Sequence, residues 1–391
     1  MELLMVCRAL SQIRVAILPL LVILLSCSGG YYLTEQTPSG EMSWPFHRNS
    51  LSATGYVQAG SFEGKLDILW ERGTSGKPAG PLTLYQETLI YPDTKNRIRF
   101  LDVDTGEKIG AVKSHGAAHT GVVLYHDHLY FATAPGKSRL RCVDLASDDT
   151  RWKLPAPDAA AGLLIVEEKL VAAFTNGTLV AYDPEDGRSI WISRFDGSLV
   201  APPSFAHGKI YQPSDNGILY IITPDSGSTL FEVELDGPLV SSVAVTDRLF
   251  LADMYGHVYS VDPLDGHRRW SVDIKHPVWT SPAVTKELVV VGHSGGGLVA
   301  LDTQSGSVVW EFEAGAVIKA SPVIVGRFVL VATMSGNLYS LHLTDGRLIS
   351  KRELGSAIAH SPISDGNRVI VATESGEIVC FGRNSSPNSR E

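Results

Sequence analysis

The chain has 391 residues, which exceeds the ~100–200 residues of a typical domain and predicts either several domains or one large repeat array. Hydrophobic residues make up 44% and charged residues 19%, a globular composition that excludes an intrinsically disordered chain. The formal net charge of -9 argues against a dense basic face, so nucleic acid is not an expected partner.

The first 27 residues have the pattern of an export signal. Arg8 and Arg14 form a positive region, and the apolar core from Val15 to Leu25 is shorter than the ~20 residues of a membrane span. The core runs into Leu24-Leu25-Ser26-Cys27, which resembles a bacterial lipobox. We therefore expect residues 1–27 to be a lipoprotein-type signal peptide with Cys27 as the lipidation site; the alternative is an uncleaved signal anchor. Because Ser28 and not Asp follows the cysteine, the expected location is the outer membrane, facing the periplasm.

The main signal in the sequence is an internal repeat. In its three fullest copies, Asp is followed by Gly four residues later and by Trp eight residues later: Asp183/Gly187/Trp191, Asp262/Gly266/Trp270 and Asp302/Gly306/Trp310. Weaker copies and an isolated Trp70 extend the series, so that its last position falls at residues 70, 110, 152, 191, 231, 270, 310 and 350. A period of about 40 residues is typical of a propeller blade.

Each repeat predicts four short strands. Apolar runs of four or five residues alternate with turns such as Asn176-Gly177, in which Gly supplies the positive φ of a tight hairpin. The last copy stops at Phe381 without an outer strand, whereas Trp70 marks an outer strand without inner ones. The sequence therefore predicts an all-β protein, an eight-bladed β-propeller of four-stranded antiparallel blades, closed by pairing of the N- and C-terminal strands.

Two cysteines, Cys142 and Cys380, remain in the predicted mature fold. Both lie two residues before the Asp position of their repeats, in blades two and eight. A disulfide needs Cα atoms within ~7 Å, so we expect two separate, buried thiols that pack as small hydrophobes.

The segment from Ala300-Leu301-Asp302 to Trp310 resembles the PQQ-like repeat of quinoprotein dehydrogenases and of the outer-membrane assembly lipoprotein BamB. The segment Trp44-Pro45-Phe46-His47-Arg48-Asn49, followed by Thr54-Gly55, resembles the lead-in that precedes many soluble and lipid-anchored members. The resulting division is a flexible tether and lead-in over residues 28–63, an eight-bladed propeller over 64–382 and a disordered tail over 383–391.

The repeat raises the question of pyrroloquinoline quinone. A quinone site needs cations for three carboxylates and acidic oxygens for a divalent metal, whereas the predicted channel-lining positions contain no Asp, Glu or Asn. We therefore expect no cofactor, no metal site and no catalytic residue. Trp279, Lys319 and His360 form a possible ligand patch at the channel mouth. The repeat residues Trp70, Trp152, Trp191, Trp270 and Trp310 are interpreted as packing between blades.

These features favour a binding protein over an enzyme. The expected function is a membrane-tethered, extracytoplasmic scaffold, similar to BamB in outer-membrane protein assembly, with envelope proteins as partners and a monomeric ring. The alternatives are a quinone-dependent oxidoreductase and a carbohydrate-binding propeller.

Overall fold

A computed structural model of the chain describes residues 48, 50–133, 138–159 and 162–383. Every regular element in these ranges is a β-strand. No helix in them has the length and apolar character needed to cross a membrane.

The strands are numbered along the chain and the blades in the order of their innermost strands. The chain starts with β1 (Tyr56–Val57) and β2 (Ile68–Gly73), which belong to the last two blades. Blade 1 contains β3 (Thr83–Tyr85), β4 (Thr88–Pro92), β5 (Arg97–Asp102) and β6 (Lys108–Lys113). Blade 2 contains β7 (Val123–Tyr125), β8 (His128–Ala132), β9 (Arg139–Asp144) and β10 (Thr150–Pro155). Blade 3 contains β11 (Leu164–Val166), β12 (Lys169–Ala173), β13 (Thr178–Tyr182) and β14 (Ser189–Arg194).

The next four blades follow the same plan. Blade 4 contains β15 (Ser204–Ala206), β16 (Lys209–Pro213), β17 (Ile218–Ile222) and β18 (Thr229–Glu234). Blade 5 contains β19 (Ala244–Val245), β20 (Leu249–Ala252), β21 (His257–Val261) and β22 (Arg268–Asp273). Blade 6 contains β23 (Ala283–Val284), β24 (Leu288–Gly292), β25 (Gly297–Asp302) and β26 (Val308–Glu313). Blade 7 contains β27 (Val323–Val325), β28 (Phe328–Ala332), β29 (Asn337–His342) and β30 (Leu348–Glu353), and β1 joins it as a fifth strand.

Blade 8 is built from both ends of the chain. It contains β31 (Ile363–Ser364), β32 (Arg368–Ala372) and β33 (Glu377–Gly382), and β2 pairs antiparallel with β33. Trp70 lies opposite Cys380, and Ile68 lies opposite Phe381. The innermost strands of blades 1 and 8, β3 and β31, are in contact. The predicted eight-bladed ring and its closure by the terminal strands are therefore confirmed.

The eight repeat positions all lie on the outermost strands of their blades. On β26, for example, Trp310 is buried while its neighbours Val308 and Val309 are exposed. The middle strands are almost wholly buried, because their side chains pack on both sides against the neighbouring blades.

Each of the five repeat tryptophans joins its own blade to the following one. Each indole Nε1 donates a hydrogen bond to a backbone carbonyl in the last turn of the following blade: Trp70 to Val103 (2.8 Å), Trp152 to Pro184 (2.9 Å), Trp191 to Pro224 (2.8 Å), Trp270 to Thr303 (2.9 Å) and Trp310 to Leu343 (2.7 Å). The Gly of that turn has a positive φ and packs against the indole ring. At Gly306, for example, a Cβ would be 2.8 Å from the Trp270 indole.

The Asp of the repeat shapes the same turn. Its carboxylate accepts backbone N–H groups two or three residues later, as Asp302 does from Gln304 (3.1 Å) and Ser305 (2.7 Å). Asp183 and Asp262 make the corresponding bond two residues on, at 2.9 Å and 2.8 Å. The repeat skeleton therefore encodes a turn, made by Asp and Gly, that receives the Trp of the preceding blade.

A chain of serine hydrogen bonds links the inner ends of blades 5 to 8. The hydroxyl oxygens of Ser281, Ser321 and Ser361 accept from the backbone N–H groups of Ser242 (3.0 Å), Ser281 (2.9 Å) and Ser321 (3.0 Å), respectively. In blades 1 to 4 the same position holds Pro81, Gly121, Gly162 and Pro202, which have no hydroxyl. Only one half of the ring can carry this link.

Cys142 and Cys380 lie in blades 2 and 8, and both are free and buried, as predicted. Burial raises the pKa of the Cys142 thiol to about 11 and that of Cys380 to about 12. Both therefore remain protonated and apolar at neutral pH.

Candidate functional site

The two faces of the ring carry different loops. In an antiparallel meander, the turns between first and second strands and between third and fourth strands lie at one end, here called the lower face. The turns between second and third strands and the connections between blades lie at the other end, here called the upper face. Trp279, Lys319 and His360 all lie in blade connections and therefore on the upper face.

The structure brings two of the three predicted mouth residues together. Lys319 Nζ lies 5.6 Å from the centre of the half-buried Trp279 ring, a cation–π contact between blade connections 5–6 and 6–7. His360 lies one position further inward, where burial lowers the pKa of its imidazole and the charge of Glu374 partly opposes that shift. The mouth thus has one exposed cation, an aromatic face and a neutral imidazole.

A polar network on the upper face of blade 5 was not predicted from the sequence. Asp253 is fully buried, and its carboxylate accepts hydrogen bonds from Tyr259 Oη at 2.6 Å and from the backbone N–H groups of Tyr255 and His257, both at 2.9 Å. Burial of Tyr259 and its hydrogen bond to Asp253 raise the pKa of the phenol. The network orders the turn that carries Tyr255, whose ring is exposed.

Two stacked histidines lie at the corresponding turn of blade 6: His293 is in that turn, and His276 is in the connection between blades 5 and 6. The rings of His276 and His293 are 4.7 Å apart and inclined by 9°. Gly297 makes room for His293, since a Cβ there would lie 2.7 Å from its Nε2 atom. Burial and the neighbouring His276 lower the pKa of His293. Gly295, in this turn, and Gly297, which follows it, therefore leave room for the imidazole rings of His276 and His293.

The lower end of the channel is crossed by residues 51–62, which we call the inner-wall segment. Its backbone carbonyls accept hydrogen bonds from the inner strands of successive blades: Leu51 from Phe205 (2.7 Å), Ser52 from Val245 (2.8 Å), Thr54 from Val284 (2.9 Å) and Gly55 from Ile324 (2.9 Å). Gly60 then donates to Gly366 of blade 8 at 2.8 Å. These residues were expected to belong to a flexible lead-in. In the structure they make backbone hydrogen bonds to five consecutive blades, 4 to 8.

Arg48 anchors this segment from inside the ring. Its side chain is 2% exposed, and its two terminal nitrogens donate to the carbonyls of Pro282 and Pro322, both at 2.7 Å. Burial lowers the pKa of the guanidinium, which nevertheless stays protonated at neutral pH. Gly55 is required beneath it, because its φ is +61° and a Cβ would lie 2.1 Å from the guanidinium. The lead-in arginine is therefore part of the propeller interior.

The described channel residues do not fit pyrroloquinoline quinone. The quinone requires several cations and a divalent metal with acidic ligands, whereas the ranges described contain no group of three or more His, Cys, Asp or Glu side chains able to hold a metal ion. The buried guanidinium of Arg48 is already bound to the Pro282 and Pro322 carbonyls.

A groove of about 660 Å³ opens on the lower face between the inner-wall segment and the β27–β28 hairpin. Phe62 and Phe328 pack edge to face at its base, with ring centres 5.7 Å apart. The Arg327 guanidinium lies 5.5 Å from the centre of the Phe328 ring, and Tyr56 is 37% exposed at the rim. No sequence pattern indicated this groove, because one of its walls, the inner-wall segment, lies outside the repeat.

The predicted lipidation site, Cys27, lies outside the described residues.

Comparison with known proteins identifies a family. A family model described as outer membrane protein assembly factor BamB matches residues 136–238 and 215–390, which together exceed half of the chain. The BamB of Shewanella oneidensis is 24% identical over 259 residues, covering 62% of this chain and 55% of that protein. The BamB of Nitrosomonas eutropha is 28% identical over 173 residues, covering 42% and 40%. The chain thus spans about half or less of the length of these relatives.

Solved structures with the same fold include proteins of different activities. The crystal structure of BamB from Moraxella catarrhalis matches with a TM-score of 0.70 and 15% identity, covering 81% of this chain and all of that one. A quinohemoprotein alcohol dehydrogenase from Comamonas testosteroni matches with a TM-score of 0.75 and 13% identity, covering 89% and 82%. At such identities the likeness shows the fold alone.

Proposed function

This chain belongs to the family of the outer membrane protein assembly factor BamB, and from that premise we propose that it is an interaction scaffold in outer-membrane protein assembly. The match of the family model over residues 136–390 carries the proposal. Its expected partners are envelope proteins, and its expected state is a single, monomeric ring.

The geometry supports binding through loops on a stiff frame. Terminal strands close the ring, tryptophans join its blades, and Arg48 and the inner-wall segment brace its lower end. Such a frame presents its loops in fixed positions, which favours recognition of a partner surface.

We further propose that Cys27 carries a lipid and tethers the ring to the outer membrane, facing the periplasm. The short apolar core and the Leu-Leu-Ser-Cys sequence support this. Metabolic labelling with a clickable palmitate should mark the wild-type protein, and Cys27→Ser should abolish both the label and the membrane fraction. A labelled C27S protein would contradict the proposal.

The assembly function is tested by depletion. Loss of the protein should lower the amount of folded β-barrel proteins in the outer membrane, and wild-type protein should restore it. The negative control is Gly55→Arg. This variant should disrupt the lower end of the ring and fail to restore the β-barrel proteins. An unchanged β-barrel content after depletion would overturn the proposal.

A quinone-dependent oxidoreductase shares this fold, as the alcohol dehydrogenase shows. Purified protein mixed with pyrroloquinoline quinone and Ca²⁺ should show no quinone-dependent dye reduction with alcohols. Dye reduction that saturates with quinone would replace the scaffold proposal by this alternative. A carbohydrate-binding propeller remains the other alternative, and binding to an envelope glycan array would favour it.

A further inference from the structure

We propose that the groove on the lower face binds an extended, acidic polypeptide segment of a partner. The groove is lined by Tyr56, Phe62, Glu63, Arg327, Phe328 and Arg383, among others. This inference deepens the scaffold function and rests on it.

The two arginines give the groove its preference for carboxylates. Arg327 is exposed and forms no ion pair with a carboxylate in the described ranges, while its guanidinium lies over the Phe328 ring. Arg383 Nη1 lies 3.2 Å from Glu63 Oε1. An aromatic ring beneath a guanidinium leaves the N–H edge free for a carboxylate. In this geometry arginine can bind a carboxylate through two parallel hydrogen bonds, which lysine cannot do.

Glu63 acts in the groove as an internal competitor. It is exposed and pairs with Arg383 across the junction between the entry to β2 and the exit from β33. An incoming carboxylate therefore meets one unpaired guanidinium, at Arg327, and one that Glu63 partly neutralises. Removal of the Glu63 charge should strengthen binding, and this sign distinguishes a carboxylate ligand from an apolar one.

The shape of the groove favours an extended chain. One wall is the inner-wall segment from Tyr56 to Phe62, and the other is the β27–β28 hairpin at Gly326, Arg327 and Phe328. A cleft between two backbone segments holds a chain that lies along it, and side-chain contacts then give specificity. A volume of about 660 Å³ accommodates a few residues of such a peptide.

A polypeptide fits this site better than an anionic membrane does. Recognition of anionic lipid typically needs clusters of roughly 4–8 Lys or Arg residues. The groove has two arginines beside one glutamate, and the chain carries a net charge of -9. This cluster is smaller than an anionic bilayer typically requires, whereas a short acidic segment needs only local contacts with the groove.

The test uses purified full-length protein in detergent and two fluorescein-labelled peptides, Gly-Ser-Asp-Phe-Asp-Ser-Gly and its counterpart with Asn in place of Asp. Fluorescence anisotropy at low salt should show the acidic peptide binding at least about tenfold more tightly, as expected for one or two charge-assisted hydrogen bonds. Arg327→Ala should remove most of that preference. Glu63→Gln should tighten binding of the acidic peptide severalfold.

Arg347→Ala provides the matched control, since Arg347 is an exposed arginine on another lower-face turn of blade 7 and pairs with Asp345 at 3.9 Å. This variant should bind like the wild type. Equal affinity for both peptides, or undiminished binding by R327A, overturns the proposal. Arg327-dependent binding to phosphatidylglycerol vesicles without peptide binding also overturns it. A negative result here, combined with loss of β-barrel proteins on depletion, refutes the groove alone and leaves the assembly function standing.

Discussion

The indole ring of Trp70 lies directly on Gly106, across the boundary between blade 8 and blade 1. A Cβ on Gly106 would be 2.6 Å from the ring, and Trp70 Nε1 donates to the nearby Val103 carbonyl at 2.8 Å. At the next boundary both partners change together: Gly110 replaces the tryptophan and Asp148 replaces the glycine. Because no indole fills that space, the Cβ of Asp148 is accommodated although its φ is +60°.

Replacement of Gly106 by Ala should destabilise the protein. The φ of Gly106 is +67°, and its new Cβ would overlap the Trp70 ring, so we expect a loss of roughly 2–5 kcal/mol from backbone strain and overpacking. Urea unfolding of wild type and variant measures the difference. Asp148→Gly is the control and should be neutral or slightly stabilising. A G106A protein as stable as the wild type would contradict the view that the repeat requires Gly at this turn to receive the indole.

Replacement of Arg48 by Ala should also weaken the fold. It removes two charge-assisted hydrogen bonds to the Pro282 and Pro322 carbonyls and leaves these acceptors without a donor, a loss of roughly 2–4 kcal/mol. Arg194→Ala, at an exposed position of β14, should change stability by less than about 0.5 kcal/mol. Both variants can be compared by their urea midpoints. Equal midpoints would show that Arg48 does not brace the ring.

Neutralisation of Glu377 should stabilise the closing blade at neutral pH. A hydrogen bond to the Glu71 carboxyl group, together with burial and the charge of Glu71, raises the pKa of Glu377. The folded state therefore holds this proton more tightly, and the associated stability is present at low pH and lost as pH rises through the raised pKa. Glu377→Gln should match the wild type near pH 4 and melt at a higher temperature at pH 7. A gain that is the same at both pH values would refute the shared proton.

Acidification should destabilise the protein partly through His360. Burial lowers the pKa of this imidazole, so the unfolded chain takes up the proton more readily and stability falls as pH drops below about 6.5. His360→Ala is a mild change, because Ala201 and Ala320 occupy the same position in blades 4 and 7. The variant should lose less thermal stability than the wild type between pH 7.5 and 5.5. Parallel pH profiles would exclude His360 as a contributor.

Side-chain periodicity was sufficient to predict the blades. In the fullest copies the outer-strand position follows a turn with Asp and Gly, and the indole of Trp270 or Trp310 is received by the same turn of the following blade. The unpaired Trp70 at one end and the missing outer strand after Phe381 at the other predicted the closing blade.

The inner-wall segment could not be predicted in the same way. It is held mainly by backbone carbonyls, such as those of Thr54 and Gly55, which any sequence possesses. Arg48 gave no sign of burial, since an arginine is normally exposed and its carbonyl partners are more than two hundred residues away in the chain. The Asp253 network was equally hidden, because the corresponding residue differs from blade to blade, as His293 and Thr333 show.

The composite blade 8 also determines when the protein can become complete. β2 leaves the ribosome early, and its partner β33 is made only after every other blade has been synthesised. Until β33 is made, the blades already formed can build at most an open arc with two unpaired flanks, vulnerable to proteases and to pairing with neighbouring chains. A premature stop codon before Glu377 would make that arc permanent, so a truncation that removes β33 alone should be as damaging as loss of an entire blade.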